Sequence, residues 1–159
     1  MRADRVDAQN EDQFLEAFGL LLELHEESGF AALNIDKAIR DSYTVMSQGM
    51  SFVVREALGK DAVGIVTITE EGFAYADETL LATKQLYVRP DYRAGPAFKA
   101  LLEAAKAVAE SRNKQLFIQI SNPRRKPSRS GLVRVAEGLG YAPRGYTLQV
   151  TTKESKEHG

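Results

Sequence analysis

The stretch richest in possible chemistry is Arg89-Pro90-Asp91-Tyr92-Arg93-Ala94-Gly95-Pro96-Ala97-Phe98. It joins an extended apolar run to an alanine-rich helix. Ala94, Gly95 and Ala97 are small, so the backbone stays accessible where that helix begins. Free N–H groups and the positive dipole end at such a place attract anions, phosphates above all. Pro96 supplies no N–H, but proline is at home in a first helical turn. Arg93 could add a charge-assisted contact. A small-residue turn before a helix is also often just a turn, and these residues alone do not decide between the two.

A second group of cations lies in 121–134, SNPRRKPSRSGLVR, where Arg124, Arg125, Lys126, Arg129 and Arg134 occur without an acid. The loop 124–129 suits an anionic ligand or a solvated surface equally. No aromatic residue is interleaved with these bases, which argues against single-stranded nucleic acid. The charge distribution argues the same way. Residues 1–41 carry ten acids and four bases in a chain of net charge −1, so a broad basic footprint is missing.

Composition excludes several other chemistries. There is no cysteine, hence no disulfide scaffold, thiolate zinc site or thiol nucleophile. Only His25 and His158 are available to a metal site or a Ser-His-Asp triad, which leaves both poorly supplied and predicts no metal. At 159 residues, 43% hydrophobic and 27% charged, the chain fits one soluble domain, which by length buries roughly 70% of its unfolded surface. We place that domain at 1–151, followed by a polar tail at 152–159. No apolar run approaches the roughly 20 residues of a membrane helix. The first residues, MRADRVDAQNEDQ, are too polar for a secretory signal. A cytoplasmic protein with no membrane partner is expected, and homo-oligomerisation is left open.

The elements that must position these groups follow from periodicity. Phe14, Leu15, Phe18, Leu21, Leu22 and His25 recur at helical spacing over 11–28, with Asn10 to cap the start and Ser28-Gly29 to end it. His25 beside such a stripe reads as a packed histidine. A helix over 34–48, capped by Asn34, would turn Ile35, Ala38, Ile39 and Val45 or Met46 inward. The β-branched runs 51–58 and 62–69 flank Gly59-Lys60-Asp61 and read as a hairpin. A strand over 80–88 ends at Arg89-Pro90, since the residue before proline avoids helical angles. Residues 97–111 are the strongest helix. A buried strand is expected over 114–121, a short helix over about 130–138, and a last strand at 147–150. Strands 80–88 and 114–121 joined by a helix should be parallel neighbours. The fold class is mixed α/β with a central sheet flanked by helices.

In that context Leu86-Tyr87-Val88-Arg89-Pro90-Asp91-Tyr92-Arg93, the small-residue turn and the helix bearing Ala100-Leu101-Leu102 resemble the acetyl-CoA-binding motif of the GNAT acyltransferases. Leu139-Gly140-Tyr141 is similar to the family's Leu-Gly-Phe, and Val63-Gly64 to its Val-Gly strand. Two helices after a short first strand also match its element order, so the resemblance covers nearly the whole chain. The chain departs from the family's Gln/Arg-x-x-Gly-x-Gly/Ala at Pro96 and Phe98. Gly95 and Ala97 supply small residues one place early, a form similar to that of compact, often phage-encoded members.

The resemblance implies acetyl-CoA as co-substrate and a small-molecule or protein amine as acceptor. It implies a bulge in the strand from about Lys84 to Val88 and a V-shaped cleft between that strand and 114–121. Leu86, Tyr87 and Val88 would lie along the cofactor, with a backbone N–H near Tyr87 or Val88 polarising the thioester. Arg93, Ala94, Gly95, Pro96, Ala97 and Phe98 would cradle the diphosphate, and Asn122 would contact CoA. The family's usual acid, a tyrosine five residues before the Leu-Gly-Phe aromatic, is replaced by Ala136. Its usual base, a glutamate on the bulged strand, is absent among Ala82, Lys84 and Gln85. Glu70, Glu71, Asp77 and Glu78 could act through water, and Tyr87, Tyr141 or Tyr146 could substitute as acid, although each suits a loop or packing role as well. The catalytic residues therefore stay unassigned. Three readings follow: an N-acetyltransferase working by direct amine attack, a GNAT fold that has lost catalysis and serves as a binding or structural protein such as a phage component, or, less favoured by the charge pattern, an RNA- or DNA-binding module using the loop 124–129.

Overall fold

The computed structural model describes residues 1–29, 31–72, 74–120 and 131–142. Among the described residues, five strands form one mixed sheet in the order β1-β2-β3-β4-β5. They are β1 (Arg2–Arg5), β2 (Ser51–Arg55), β3 (Ala62–Gly72), β4 (Thr79–Val88) and β5 (Leu116–Phe117). Neighbours run antiparallel except β4 and β5, which are parallel. The described helices flank the sheet: α1 (Glu11–Ser28), α2 (Ile35–Ser47), α3 (Ala97–Arg112) and α4 (Gly131–Gly138).

The helix limits come from local chemistry. Asn10 accepts the Gln13 N–H at 3.2 Å, and Gly29, at φ 63°, ends α1 by donating its N–H to the His25 carbonyl. Asn34 caps α2 in the same way through the Lys37 N–H. The two faces of the sheet bury different helices. Val54, Val66, Ile68 and Leu81 pack on Ala97, Leu101 and Ala105 of α3. Val53, Ile65 and Tyr87 pack on Phe14, Ala17, Phe18 and Leu21 of α1, with Met46 of α2. Each fully buried leucine, such as Leu101, contributes about 1.5–3 kcal/mol.

Two expectations need correction. Ile35 and Ile39 do not turn inward. They stay 45% and 41% exposed, because α2 meets the core through the partly buried Ala38 and the buried Met46 instead. The strand expected over 114–121 shrinks to Leu116–Phe117, and Phe117 is 42% exposed. It pairs with β4 only at Leu81↔Leu116 and Ala82↔Phe117, so it lacks the two covered faces of a central parallel strand. The strand expected at 147–150 and the tail lie outside the described residues. No helix among the described residues is long and apolar enough to cross a membrane.

Candidate active site

The site begins where β4 changes partners. Its register with β3 shifts between Thr67 and Ile68, which face Gln85 and Thr83, so Lys84 is an extra residue, a β-bulge. Pairing with β5 stops just before that bulge. The next link between the segments is the Gln119 N–H to the Thr83 hydroxyl at 3.2 Å, a side-chain bond in place of a ladder bond. Beyond it, the β4 edge from Lys84 to Val88 has no strand partner opposite β3 among the described residues.

The register shows which backbone groups that edge presents. The Arg89 N–H donates to the Val63 carbonyl at 2.9 Å, which makes 89 and 63 a hydrogen-bonded pair. Antiparallel pairs alternate, so Tyr87 also spends its N–H and C=O on β3, opposite Ile65. Leu86 and Val88 therefore turn their backbone groups away from β3, toward the open edge. The Val88 carbonyl is taken by Arg93 Nε at 2.8 Å, which leaves the Val88 N–H. Of the two residues expected to offer a donor there, only Val88 does so.

Gly64 stands opposite Val88. A Cβ on it would sit 3.0 Å from the Tyr87 carbonyl oxygen, a Val54 methyl and a Val88 methyl. The glycine lets β3 and β4 lie close at the end of the open edge, a physical reason for the Val63-Gly64 pattern.

The turn after β4 is a 3-10 turn, Pro90–Tyr92, followed by exposed Ala94, Gly95 and Pro96. The Arg93 and Gly95 N–H groups donate to the Pro90 and Tyr92 carbonyls, both at 3.3 Å. The first bond of the α3 ladder runs from the Ala100 N–H to Pro96. The amides of Ala97, Phe98 and Lys99 precede it, and Pro96 at the N-cap offers no side chain to cap them. Ala97 is fully buried and Phe98 packs on the α3 side of the core, so their side chains face inward while these amides face the turn. Gly95 needs neither a positive φ nor extra room, since a Cβ there would meet only the Tyr92 carbonyl at 3.7 Å.

Arg93, expected to face an anion, pairs instead with an acid of α1. Its guanidinium binds Glu27 of α1 at 2.6 Å and lies over the Tyr87 ring at 5.6 Å. The Glu27 hydrogen bond holds its pKa above the usual arginine value. Arg89 pairs with Glu23 at 3.0 Å. Both arginines strap the turn to α1.

Leu139-Gly140-Tyr141 proves to be a helix stop and a clamp. Leu139 and Tyr141 donate their N–H groups to Ala136, and Gly140 takes φ 96°. Lys106 of α3 binds the Leu139 carbonyl at 2.7 Å, and the Tyr141 hydroxyl donates to the Leu102 carbonyl at 2.9 Å. Burial, and secondarily Glu110, pushes the Tyr141 phenol up to about 12. Ala136 is buried. Tyr87 faces α1 and its phenol is likewise raised by burial. Glu70 lies 3.6 Å from Lys114 and Glu71 3.7 Å from Lys84, while Asp77 and Glu78 are exposed. His25 is half-buried. Asn122, Tyr146 and the loop 124–129 lie outside the described residues. Among the described residues no three His, Asp or Glu side chains are grouped to hold a metal.

Several solved structures share this fold over nearly the whole chain. An integron cassette protein from a salt-marsh metagenome superposes with a TM-score of 0.69 at 17% identity, over 96% of this chain and 90% of its own. An aminoglycoside acetyltransferase from a soil metagenome, solved with sisomicin, gives 0.65 at 14%, over 96% and 95%. An acetyltransferase of Trypanosoma brucei gives 0.63 at 14%, over 95% and 99%. The fold is that of the GNAT acetyltransferases. No protein-family model and no curated protein sequence matches the chain. The GNAT likeness is thus one of fold, spread over nearly the whole chain.

Proposed function

We propose that this GNAT fold is an N-acetyltransferase that takes acetyl-CoA into the gap beside β4 and passes the acetyl group to a primary amine. The observation that carries the reading is the parting of β4 and β5 at Lys84 next to the uncapped start of α3. The amides of Ala94, Ala97 and Phe98 would hold the diphosphate, with Gly95 and Pro96 keeping the approach clear. The edge groups of Leu86 and Val88 would follow the pantetheine arm, and the Val88 N–H would polarise the thioester carbonyl. The Arg93 and Tyr87 side chains support the turn from behind.

The neutral amine attacks the carbonyl carbon, a C–N bond forms and the C–S bond breaks. The sulfur leaves as thiolate, and the amine's extra proton passes to water. A thiol's pKa of about 8.5 makes the thiolate a fair leaving group without a strong acid. That fits Ala136 at the usual acid position and the commitment of Tyr141 to Leu102. The same two facts favour the competing reading, a GNAT fold without catalysis. Release of CoA thiol from acetyl-CoA with a panel of primary amines, sisomicin and small amino compounds among them, separates the two. Amine-dependent thiol release supports the transferase, and none across the panel supports the inactive protein.

A further inference from the structure

The sheet face beneath α1 and α2 changes character at the bulge. The row Val53–Ile65–Tyr87 across β2, β3 and β4 is apolar and buried. The next row on that face is Ser51–Thr67–Gln85, polar throughout, with Ser51 and Thr67 both 0% exposed. Such a row is costly in a core. The Ser51 hydroxyl has no partner among the described residues, and burying an unmet hydroxyl is unfavourable.

Thr67 fixes the orientation of Gln85. Its hydroxyl oxygen accepts the Gln85 backbone N–H at 3.0 Å, and its proton goes to Gln85 Oε1. Gln85 Oε1 is therefore occupied, while Nε2, with two N–H donors, has no partner among the described residues. Gln85 is half-buried and directly follows the bulge. It lies three residues, about 10 Å along the strand, from the Val88 N–H.

Resting on the acetyl-transfer reading, we propose that Gln85 is a specificity-determining residue that donates from Nε2 to an oxygen of the acceptor. The acceptor class is then an amine carrying a carbonyl or carboxylate oxygen a few bonds from the reacting nitrogen, as in amino-acid derivatives, rather than a plain alkylamine or polyamine. A site with a fixed, half-buried donor discriminates against analogues lacking the oxygen, because the donor is then left unmet.

The test compares glycinamide and β-alanine with propylamine and putrescine, in wild type, Gln85→Leu and Thr67→Val. The expected result is a kcat/KM at least tenfold higher for the oxygen-bearing amines. Gln85→Leu should bring that ratio near one, through the acceptor KM. Thr67→Val, which releases the amide, should narrow it partly. Equal ratios in wild type and Gln85→Leu would overturn the assignment. The Gln85 side-chain amide resonances in a 1H–15N spectrum give a readout independent of turnover. Shifts with glycinamide but not propylamine support the donor role even if no amine is acetylated, an outcome that would instead defeat the transferase reading. Resonances unmoved by every oxygen-bearing amine overturn the donor role whether or not acetyl transfer occurs.

Discussion

The Arg93 guanidinium meets the Glu27 carboxylate at 2.6 Å across 66 residues of sequence, tying the turn after β4 to the last turns of α1. Both side chains are more than a third exposed, so the pair contributes little to global stability. Its consequence is local: it holds the backbone whose amides would meet the diphosphate. Glu27→Gln should lower Tm by no more than a few degrees and weaken acetyl-CoA binding several-fold. Its effect on S-acetylpantetheine, which has no diphosphate, should be small. Calorimetric titration with both compounds checks this, and equal effects on the two would remove the positioning role.

Gly64 is expected to be intolerant of any side chain. Its added methyl would press on the Tyr87 carbonyl oxygen as well as two valine methyls, and a backbone atom in a ladder yields poorly. Gly64→Ala should cost about 1–3 kcal/mol, as overpacking does. Thermal unfolding would register a fall of roughly 2–12 °C.

Stability should fall in acid partly through Glu16. Its carboxylate binds Arg55 at 2.7 Å and the Ala62 N–H at 3.1 Å, fastening α1 to the β2–β3 hairpin. The Arg55 hydrogen bond, with help from Ala62, lowers its pKa despite partial burial. A carboxyl with a depressed folded pKa stabilises fully above its unfolded pKa, about 4.3, and loses that contribution as pH falls through the folded value. Glu16→Gln should cost about 1.5–3 kcal/mol at pH 7 and progressively less below pH 4. Urea unfolding at both pH values measures the convergence.

Tyr141 is expected to matter for stability and not for rate. Its proton belongs to a helix carbonyl, and its phenol is pushed up to about 12. Tyr141→Phe should cost about 1 kcal/mol and leave the pH profile of thiol release unchanged. A loss of the alkaline limb in the variant would show that the phenol donates to the leaving sulfur.

The local devices were legible in the sequence. Asn10 and Gly29 bound α1 because a cap and a left-handed stop act within a few residues; the bulge at Lys84 was implied by the family resemblance, not by local residues. What depends on distant partners was not legible. β5 is short because β4 bulges away from it, and nothing within 114–121 encodes that. Arg93 looked like an anion ligand because Glu27 lies 66 residues off in sequence. Ile35 and Ile39 carry the right helical period, yet periodicity does not say how far a helix sinks into its core. The polar row of Ser51, Thr67 and Gln85 is three residues from three strands, visible only once the register is known.

The most direct test uses Gly95, which the fold itself does not require to be glycine, since its nearest obstacle is a carbonyl at 3.7 Å. Acetyl-CoA is titrated calorimetrically into wild type and Gly95→Val, with the melting temperature of each measured alone. The expected result is saturable binding by wild type, at least tenfold weaker binding by the variant, and nearly equal melting temperatures. Absence of binding to wild type at millimolar acetyl-CoA, or equal affinity in the two, would contradict a diphosphate seated on that turn.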